Sequence, residues 1–174
     1  MSAGAATKGR AAKRMQPTRK TAAGAAGAPK LDDVLGFQLA RASIHTNAVF
    51  FRVAGHPLEL RPVEYTILCL IGENPGVSAA RLAEALAVTA PNMTAWIARL
   101  EKRRFVARVA SATDRRAQVL SLTAEGAEAA AEATQRLVEA EQAAFGHLSR
   151  GEFLLLKELL QKLGTATPPD GERP

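Results

Sequence analysis

After residue 30, apolar residues recur at the spacing of α-helices along most of the chain. The first run predicts a long helix over residues 31–54, which the sequence Gly55-His56-Pro57 would end. Pro62 suits a first helical turn, so a second, mostly buried helix is predicted over Val63–Gly72. The apolar positions that define the first helix are Leu35, Leu39, Ala42, Val49 and Val53.

Two short helices are predicted next, with only a two-residue junction between them. Ser78 is a good N-cap for a helix over Ala79–Ala87, and Thr89 would cap another over Ala90–Arg104. Helices joined this closely must cross steeply instead of running antiparallel. Residues 78–104 are therefore predicted to form a helix-turn-helix.

A β-hairpin and a long helix follow. Phe105–Ala110 and Ala117–Leu122 are rich in strand-forming residues and predict two paired strands, so that residues 105–122 form a hairpin. Thr123 would then cap an Ala-rich helix over residues 124–147. At 1.5 Å per residue this helix is about 36 Å long, which exceeds what a small helix-turn-helix core can cover.

The last predicted helix has a wide apolar surface. Ser149 and Glu152 form a capping box that starts it, and it is expected to end before Gly164, with a loose tail over residues 164–174. Such a surface needs a partner, so the sequence predicts a dimer built from the terminal helices, over residues 31–54 and 124–163. Its leucines are Leu154, Leu155, Leu159, Leu160 and Leu163.

Positive charge is concentrated in two parts of the chain. The formal net charge is +6, yet residues 1–30 hold seven Lys or Arg and no acid, and residues 78–120 hold eight basic and three acidic groups. This distribution favours a polyanionic partner such as double-stranded DNA. Residues 1–30 contain no Leu, Ile, Val or aromatic residue, so they are predicted to be a disordered basic arm, either solubilising or attracted to DNA.

The second helix of the helix-turn-helix offers groups that suit a major groove. Its first turn has three short polar side chains, of which Asn can pair with adenine and Thr can contact a base edge or a phosphate. These are Thr89, Asn92 and Thr94. The cations that follow are expected to line the DNA backbone, although a solvated helix face is the plainer alternative; they are Arg99, Lys102, Arg103 and Arg104.

The tip of the hairpin is unusual because it holds Asp114, Arg115 and Arg116 in place of the usual Gly and Asn. A hairpin that follows a recognition helix forms a wing over the neighbouring minor groove, where arginine is favoured. Asp114 would repel phosphate if it were free, so we expect it to hold one arginine while another points outward.

The segment 78–126 resembles the winged-helix core of the MarR family of bacterial transcription regulators. The family pattern of Leu-Ala-x-x-Leu, Leu-Glu, Asp-x-Arg and Leu-Thr-x-x-Gly is matched along it, and the flanking helices extend the likeness over residues 31–163. One departure is Arg104, where the family usually has Gly. The helix would then run slightly longer, or the turn would be strained. The matching residues are Leu82, Ala83, Leu86, Leu100, Glu101, Asp114, Arg115, Arg116, Leu122, Thr123 and Gly126.

The resemblance implies a homodimer on a palindromic operator, with half-sites about 34–36 Å apart. It assigns major-groove contacts to residues in and before the second helix, a phosphate contact to Ser78, the minor groove to Arg116 and a bracing role to Asp114. The expected major-groove residues are Thr89, Asn92, Thr94 and Arg99.

Members of the family are often released from DNA by aromatic acids, acyl-CoA thioesters or thiol oxidation. Polar residues of the first two helices are candidates for binding an organic anion, with Arg41 as the partner of a carboxylate. The plainer alternatives are solvent exposure for the polar residues and a core position for the tyrosine. The candidates are Arg41, Ser43, His45, Asn47 and Tyr65.

Cys69 lies within Ile67–Ile71, an apolar run that favours a core role over redox sensing. No Cys/His pair has ligand spacing, and the sequence shows neither a Gly-rich phosphate loop nor a nucleophile elbow, so no metal, no cofactor and no enzyme activity is predicted. Without a membrane span or a secretory segment, a cytoplasmic location is expected. The predicted function is a ligand-responsive regulator, with a repressor favoured; redox sensing and non-specific DNA coating are the alternatives.

Overall fold

The computed structural model describes residues 30–110 and 118–165 of the chain. These residues form six α-helices and one two-stranded antiparallel hairpin, which confirms the predicted mainly α fold with a winged helix-turn-helix. The predictions for the basic arm before Lys30, for the hairpin tip over residues 111–117 and for the tail after Thr165 lie outside the described residues.

The first predicted helix is divided into parts. A 3-10 turn, Leu31–Asp33, precedes helix α1, Leu35–Phe50, because Val34 between them is extended, with φ −89° and ψ 110°. The prediction of one continuous helix over residues 31–54 was therefore wrong, because the extended Val34 interrupts it.

A π-helical turn, Phe51–Gly55, continues from α1. The N–H of His56 donates to the carbonyl of Phe51 at 2.9 Å, five residues back, so this turn holds one residue more than an α-helical turn. Gly55 fits here because a Cβ atom at this position would lie 2.8 Å from Cδ1 of Phe51. The predicted end near Gly55 is confirmed.

Three helices form the predicted DNA-binding core: α2, Pro62–Glu73; α3, Ala79–Ala85; and α4, Ala90–Lys102. Both α3 and α4 end two residues before their predicted ends. The reason is a left-handed residue after each helix, Ala87 with φ 50° and Arg104 with φ 59°. Of the two alternatives for Arg104, the strained turn is the one observed, since a non-glycine side chain is costly at this φ.

The wing hairpin follows α4 directly. Strand β1, Val106–Ala110, pairs with strand β2, Gln118–Leu122, in an antiparallel register that sets the first residue of β1 opposite the last of β2. Val77 adds an isolated bridge to Leu120, so the segment before α3 lies against the hairpin. Through this bridge the two ends of the helix-turn-helix are joined to one sheet.

The core lies where α2, α3, α4 and the hairpin meet. Its large side chains are almost fully excluded from water, and each such burial contributes about 1.5–3 kcal/mol. Ile97, Leu100 and Leu82 are among them, at 0%, 0% and 2% exposure. The apolar side chains with the least exposure also include Ile67, Leu68, Ile71, Met93 and Leu120.

Two helices complete the fold: α5, Ala124–Ala144, and α6, Arg150–Gly164. The predicted caps of both are confirmed, because Thr123 accepts from the N–H of Gly126 and Ser149 forms a capping box with Glu152. α5 ends three residues earlier than expected, and α6 includes Gly164. α6 contributes no buried residue, and its leucines are 42–55% exposed.

The start of α5 is locked onto the turn between α4 and β1. The hydroxyl of Thr123 donates to the carbonyl of Arg104 at 2.5 Å, and its N–H donates to the carbonyl of Phe105 at 3.1 Å. Gly126 packs against the same backbone so closely that a Cβ atom there would lie 1.9 Å from the Phe105 oxygen. The Leu-Thr-x-x-Gly sequence thus allows the backbone of α5 to pack directly against the backbone at the start of the wing hairpin.

We predict that Gly126→Ala lowers the free energy of unfolding by about 3 kcal/mol or more, since the methyl group meets rigid backbone. The matched control is Gly151→Ala in the first turn of α6, where nothing lies within 4 Å. That change should leave stability unchanged or raise it by up to about 1 kcal/mol. Urea unfolding followed by circular dichroism measures both, and equal stabilities of the two variants would contradict the close contact.

Candidate nucleic-acid interface

The side of α4 that faces away from the core is exposed. Met93, Ile97 and Leu100 are buried on one side, whereas Asn92 and Thr94 lie outside it and are accessible to solvent. Thr89 is at the N-cap position and is exposed. Its side chain makes no cap hydrogen bond, so its hydroxyl does not cap the start of α4. The predicted recognition helix therefore presents its polar first turn to the exterior.

Ser78 has a structural role of its own. It begins α3, where its Oγ accepts a hydrogen bond from the N–H of Arg81 at 3.3 Å, and it is half-buried. An accepted hydrogen bond leaves the Ser78 hydroxyl hydrogen available as a donor. A phosphate contact is compatible with this geometry.

Arg99, predicted to contact the major groove, forms an ion pair inside the protein. Its Nη2 lies 3.0 Å from Oε1 of Glu64, whose side chain is only 2% exposed, while the Arg99 side chain is 45% exposed. The second carboxylate oxygen of Glu64 accepts the N–H of Arg61 at 2.9 Å. Both oxygens of this buried carboxylate are therefore satisfied, and α4 is fixed to α2 by one charged contact.

Arg103, predicted to line the DNA backbone, has its guanidinium bound within the protein. Its two terminal nitrogens donate to the carbonyls of Glu59 at 2.7 Å and Leu58 at 2.9 Å. Its guanidinium also stacks 4.4 Å from the ring centroid of Phe105. Arg103 thus binds the end of α4 to the loop that follows the π-turn.

A similar contact joins α5 to that π-turn. Nη1 of Arg136 donates to the carbonyl of Val53 at 3.3 Å, and the same side chain forms an ion pair with Glu132. The loop after α1 is therefore held by arginines from two sides, one on α4 and one on α5. None of these contacts was predicted from the sequence.

Arg108 of β1 also has a partner within the protein. Its Nε donates to Glu101 of α4 at 2.9 Å, so the wing hairpin is attached to the recognition helix by an ion pair. Lys102 and Arg104 are exposed and remain the basic residues of this helix end that face solvent. The predicted wing residues Asp114, Arg115 and Arg116 lie outside the described residues.

The five candidate effector residues do not form one cluster. Arg41 lies 3.4 Å from Asp32 and over the ring of Phe37, while Ser43 donates to the carbonyl of Ala40. Asn47 is exposed. Arg41, Ser43 and Asn47 do not line the cleft described below, and their proposed role in effector binding stays a prediction.

Tyr65 packs against the core instead. Its hydroxyl lies 2.9 Å from the Thr134 hydroxyl on α5, and its ring is 5.8 Å from that of Phe50. Burial raises the pKa of Tyr65 above its ordinary value. Cys69 is half-buried beside it and adds to this pKa shift.

His45 is the one candidate that lines a cavity. A cleft of about 880 Å³ runs between α1, α5 and α6. Apolar side chains dominate its walls, and one acid and several basic groups lie at its edge: Glu141, His45, Arg52, His147 and Lys157. The cleft is large enough for an aromatic or acyl ligand.

Two residues central to this arrangement, Glu64 and Arg136, were not anticipated. Glu64 is the one acidic residue in the predicted helix Val63–Gly72, and a buried carboxylate needs a cation. That signal was available in the sequence and indicates that a partner exists. It does not say which arginine, because Arg99 belongs to another helix.

The described helices and hairpin define a winged helix-turn-helix protein of the DNA-binding class. A model of the MarR family matches residues 60–117. The HTH-type transcriptional regulator FarR of Neisseria gonorrhoeae is 30% identical over 129 residues, which cover 74% of this chain and 86% of FarR. An HTH-type transcriptional repressor of Mycobacterium tuberculosis is 32% identical over 109 residues, covering 63% of this chain and 78% of that protein. The chain belongs to the MarR family, and it is a DNA-binding transcription regulator, not an enzyme.

Solved structures agree with this assignment. The transcriptional repressor CouR bound to a 23-mer DNA duplex superposes with a TM-score of 0.68 at 29% identity, over 76% of this chain and 94% of CouR. CouR bound to p-coumaroyl-CoA gives 0.67 at 26% identity, over 78% and 95%. In the part of the chain that the structure describes, no helix is long and apolar enough to cross a membrane, and no cluster of acidic, His or Cys side chains fits a metal ion.

We predict that Arg99→Ala lowers the free energy of unfolding by about 2 kcal/mol, because it leaves the buried Glu64 carboxylate without a counter-charge. This value is below that of a fully buried pair, since Arg99 is partly solvated. Adding Glu64→Gln should restore part of the loss. The control Lys102→Ala, three residues along α4, should change stability by less than about 0.5 kcal/mol. Chemical denaturation of all four proteins would refute the pair if Arg99→Ala behaved like the control.

Proposed function

We propose that this regulator is a dimeric repressor that binds a palindromic operator and is released by a small organic anion. The observation that supports it most is that different residues of α4 bind the rest of the protein and face solvent. Its inner cations are occupied by protein partners, whereas Thr89, Asn92 and Thr94 are exposed at the N-terminal half, where a recognition helix enters a major groove. Such a protein would act in the cytoplasm, where its DNA lies.

The proposed DNA contacts divide into base-specific and backbone contacts. Asn92 and Thr94 would meet base edges, and Thr89, Ser78 and Lys102 would meet phosphates. Arg99 has further N–H groups beyond the one that faces Glu64, so it can add a contact while remaining fixed. Arg116, with Arg115 beside it and Asp114 as a brace, is proposed for the minor groove.

Dimerisation is proposed through the exposed apolar faces of the terminal helices. One side of α6 lines the cleft, and the other presents Leu155 and Leu159, which are 54% and 47% exposed. Near the start of the described chain, Leu31 and Leu35 are 62% and 57% exposed. A second copy would cover these surfaces, because a monomer has no reason to expose so many large apolar residues. Sedimentation at micromolar concentration should give twice the 18.4 kDa chain mass.

We predict different effects from two exposed residues of α4. Asn92→Ala should reduce affinity for a selected operator by about tenfold, with little effect on random DNA, since it removes a base contact. Lys102→Ala should weaken both kinds of binding and lower the slope of log affinity against log salt by about one.

Fluorescence anisotropy at several salt concentrations measures both parameters. Circular dichroism serves as the control, because neither residue is buried and the fold should be retained. If Asn92→Ala lost affinity equally for operator and random DNA, the base contact would be rejected.

The effector is proposed to bind in the cleft between α1, α5 and α6. The apolar walls suit an aromatic or acyl group, and Arg52 and Lys157 at the edge suit a carboxylate or a phosphate. The relative CouR, bound to p-coumaroyl-CoA, supports this ligand class. Arg52 of the π-turn lines the cleft, and Arg103 at the end of α4 binds the loop that follows this turn, so a ligand that moves the turn would act on the recognition helix through that loop.

We predict that Arg52→Ala raises the ligand concentration needed for half-release from DNA by about tenfold, because it removes a charge-assisted hydrogen bond. The matched control is Arg41→Ala on α1, whose partner is Asp32 and which does not line the cleft. Aromatic acids and their CoA thioesters, including p-coumaroyl-CoA, are tested for release by anisotropy. A larger effect from Arg41→Ala would contradict a site in the cleft and favour the effector residues predicted from the sequence.

A further inference from the structure

The outermost stripe of the recognition helix has no hydrogen-bonding side chain in its first two turns. At 100° per residue, the direction opposite to buried Met93, Ile97 and Leu100 is occupied by Pro91, Ala95, Ala98 and Lys102. All four are exposed. We name Pro91, Ala95 and Ala98 the apolar stripe.

The polar candidates lie beside this stripe, not on it. Asn92 and Thr94 are displaced from its centre by roughly 70–90°, one to each side, when the helix is viewed along its axis. They can therefore reach base edges at the sides of a groove. The groups that would approach the floor most closely are methyl and methylene groups.

The major groove offers one apolar group, the C5-methyl of thymine, and alanine is among the side chains that contact it. The other base edges expose donors and acceptors, which would lose water without gaining a partner against Ala95 or Ala98. A methyl group also keeps the side chain short, so the backbone of α4 can lie close to the bases. From Pro91 to Ala98 the stripe is about 10.5 Å long, which corresponds to roughly three base-pair steps.

We propose that Ala95, with Ala98 one turn further on, determines operator specificity by contacting thymine methyl groups. This inference rests on the proposed binding of α4 in a major groove. It adds the type of base that the apolar stripe selects. Each operator half-site would have thymine at one or two positions facing the stripe. Asn92 would then select adenine beside them.

The test removes the methyl group from the DNA and the protein separately. Operators are selected from a random duplex library with the full-length protein, and each thymine is replaced in turn by deoxyuridine, which lacks only the C5-methyl. At one or two positions per half-site the affinity should fall about fourfold, the value for burial of one methyl group. In Ala95→Gly or Ala98→Gly the same replacement should have almost no effect, because the partner is already missing.

The control for helix weakening is Ala90→Gly, an exposed alanine of the same helix that lies off the stripe. It should keep the full deoxyuridine effect. Wild-type affinity that is insensitive to every deoxyuridine would overturn the inference, and so would sensitivity that persists unchanged in both stripe variants. Failure of the selection to enrich any sequence would reject specific DNA binding itself, which distinguishes the two conclusions.

Discussion

The close contact between Gly126 and the backbone of Phe105 determines how α5 meets the helix-turn-helix and the wing hairpin. A helix start and a strand start can approach this closely only where one of them has no Cβ atom. Thr123 completes the contact with hydrogen bonds to Arg104 and Phe105. Because the recognition helix ends and the wing hairpin begins at this point, α5 sets the position of both. Movement of α5 relative to its partner in a dimer would therefore shift the DNA-contacting surface as a unit.

Around that contact, arginines hold the recognition helix from several sides. Arg99 binds Glu64 on α2, Arg103 binds the loop after the π-turn, and Arg108 binds Glu101. Much of the positive charge that distinguishes residues 78–120 is thus used within the protein. The charge still contributes to a positive field near DNA, since pairing with one carboxylate does not bury a half-exposed guanidinium. The charge distribution predicted DNA binding, but it did not indicate which arginines have partners within the protein.

Features that depend on residues close together in the sequence were predictable. The caps Ser78, Thr123 and Ser149, the two strands and the helix-turn-helix junction each depend on neighbours within a few residues, and the structure confirms them. Contacts between distant residues were not predictable. The partner of Arg103 lies 44 residues away, and nothing in the local pattern distinguishes it from an arginine that binds phosphate. The cleft likewise depends on how α6 folds back, so only His45 of the proposed effector residues was placed in it.

The π-turn at Phe51–Gly55 has a consequence for how such regulators can be recombined. Its extra residue rotates everything before it by about 100° relative to everything after it. The side of α1 that lines the cleft is therefore set independently of the side that packs on the core through Phe50 and Ala54. Deleting one residue in this turn would keep both helical segments intact and turn the first away from the cleft that it lines. A chimera that exchanges the N-terminal helix with that of a relative would need to preserve this single residue to retain the shape of the cleft.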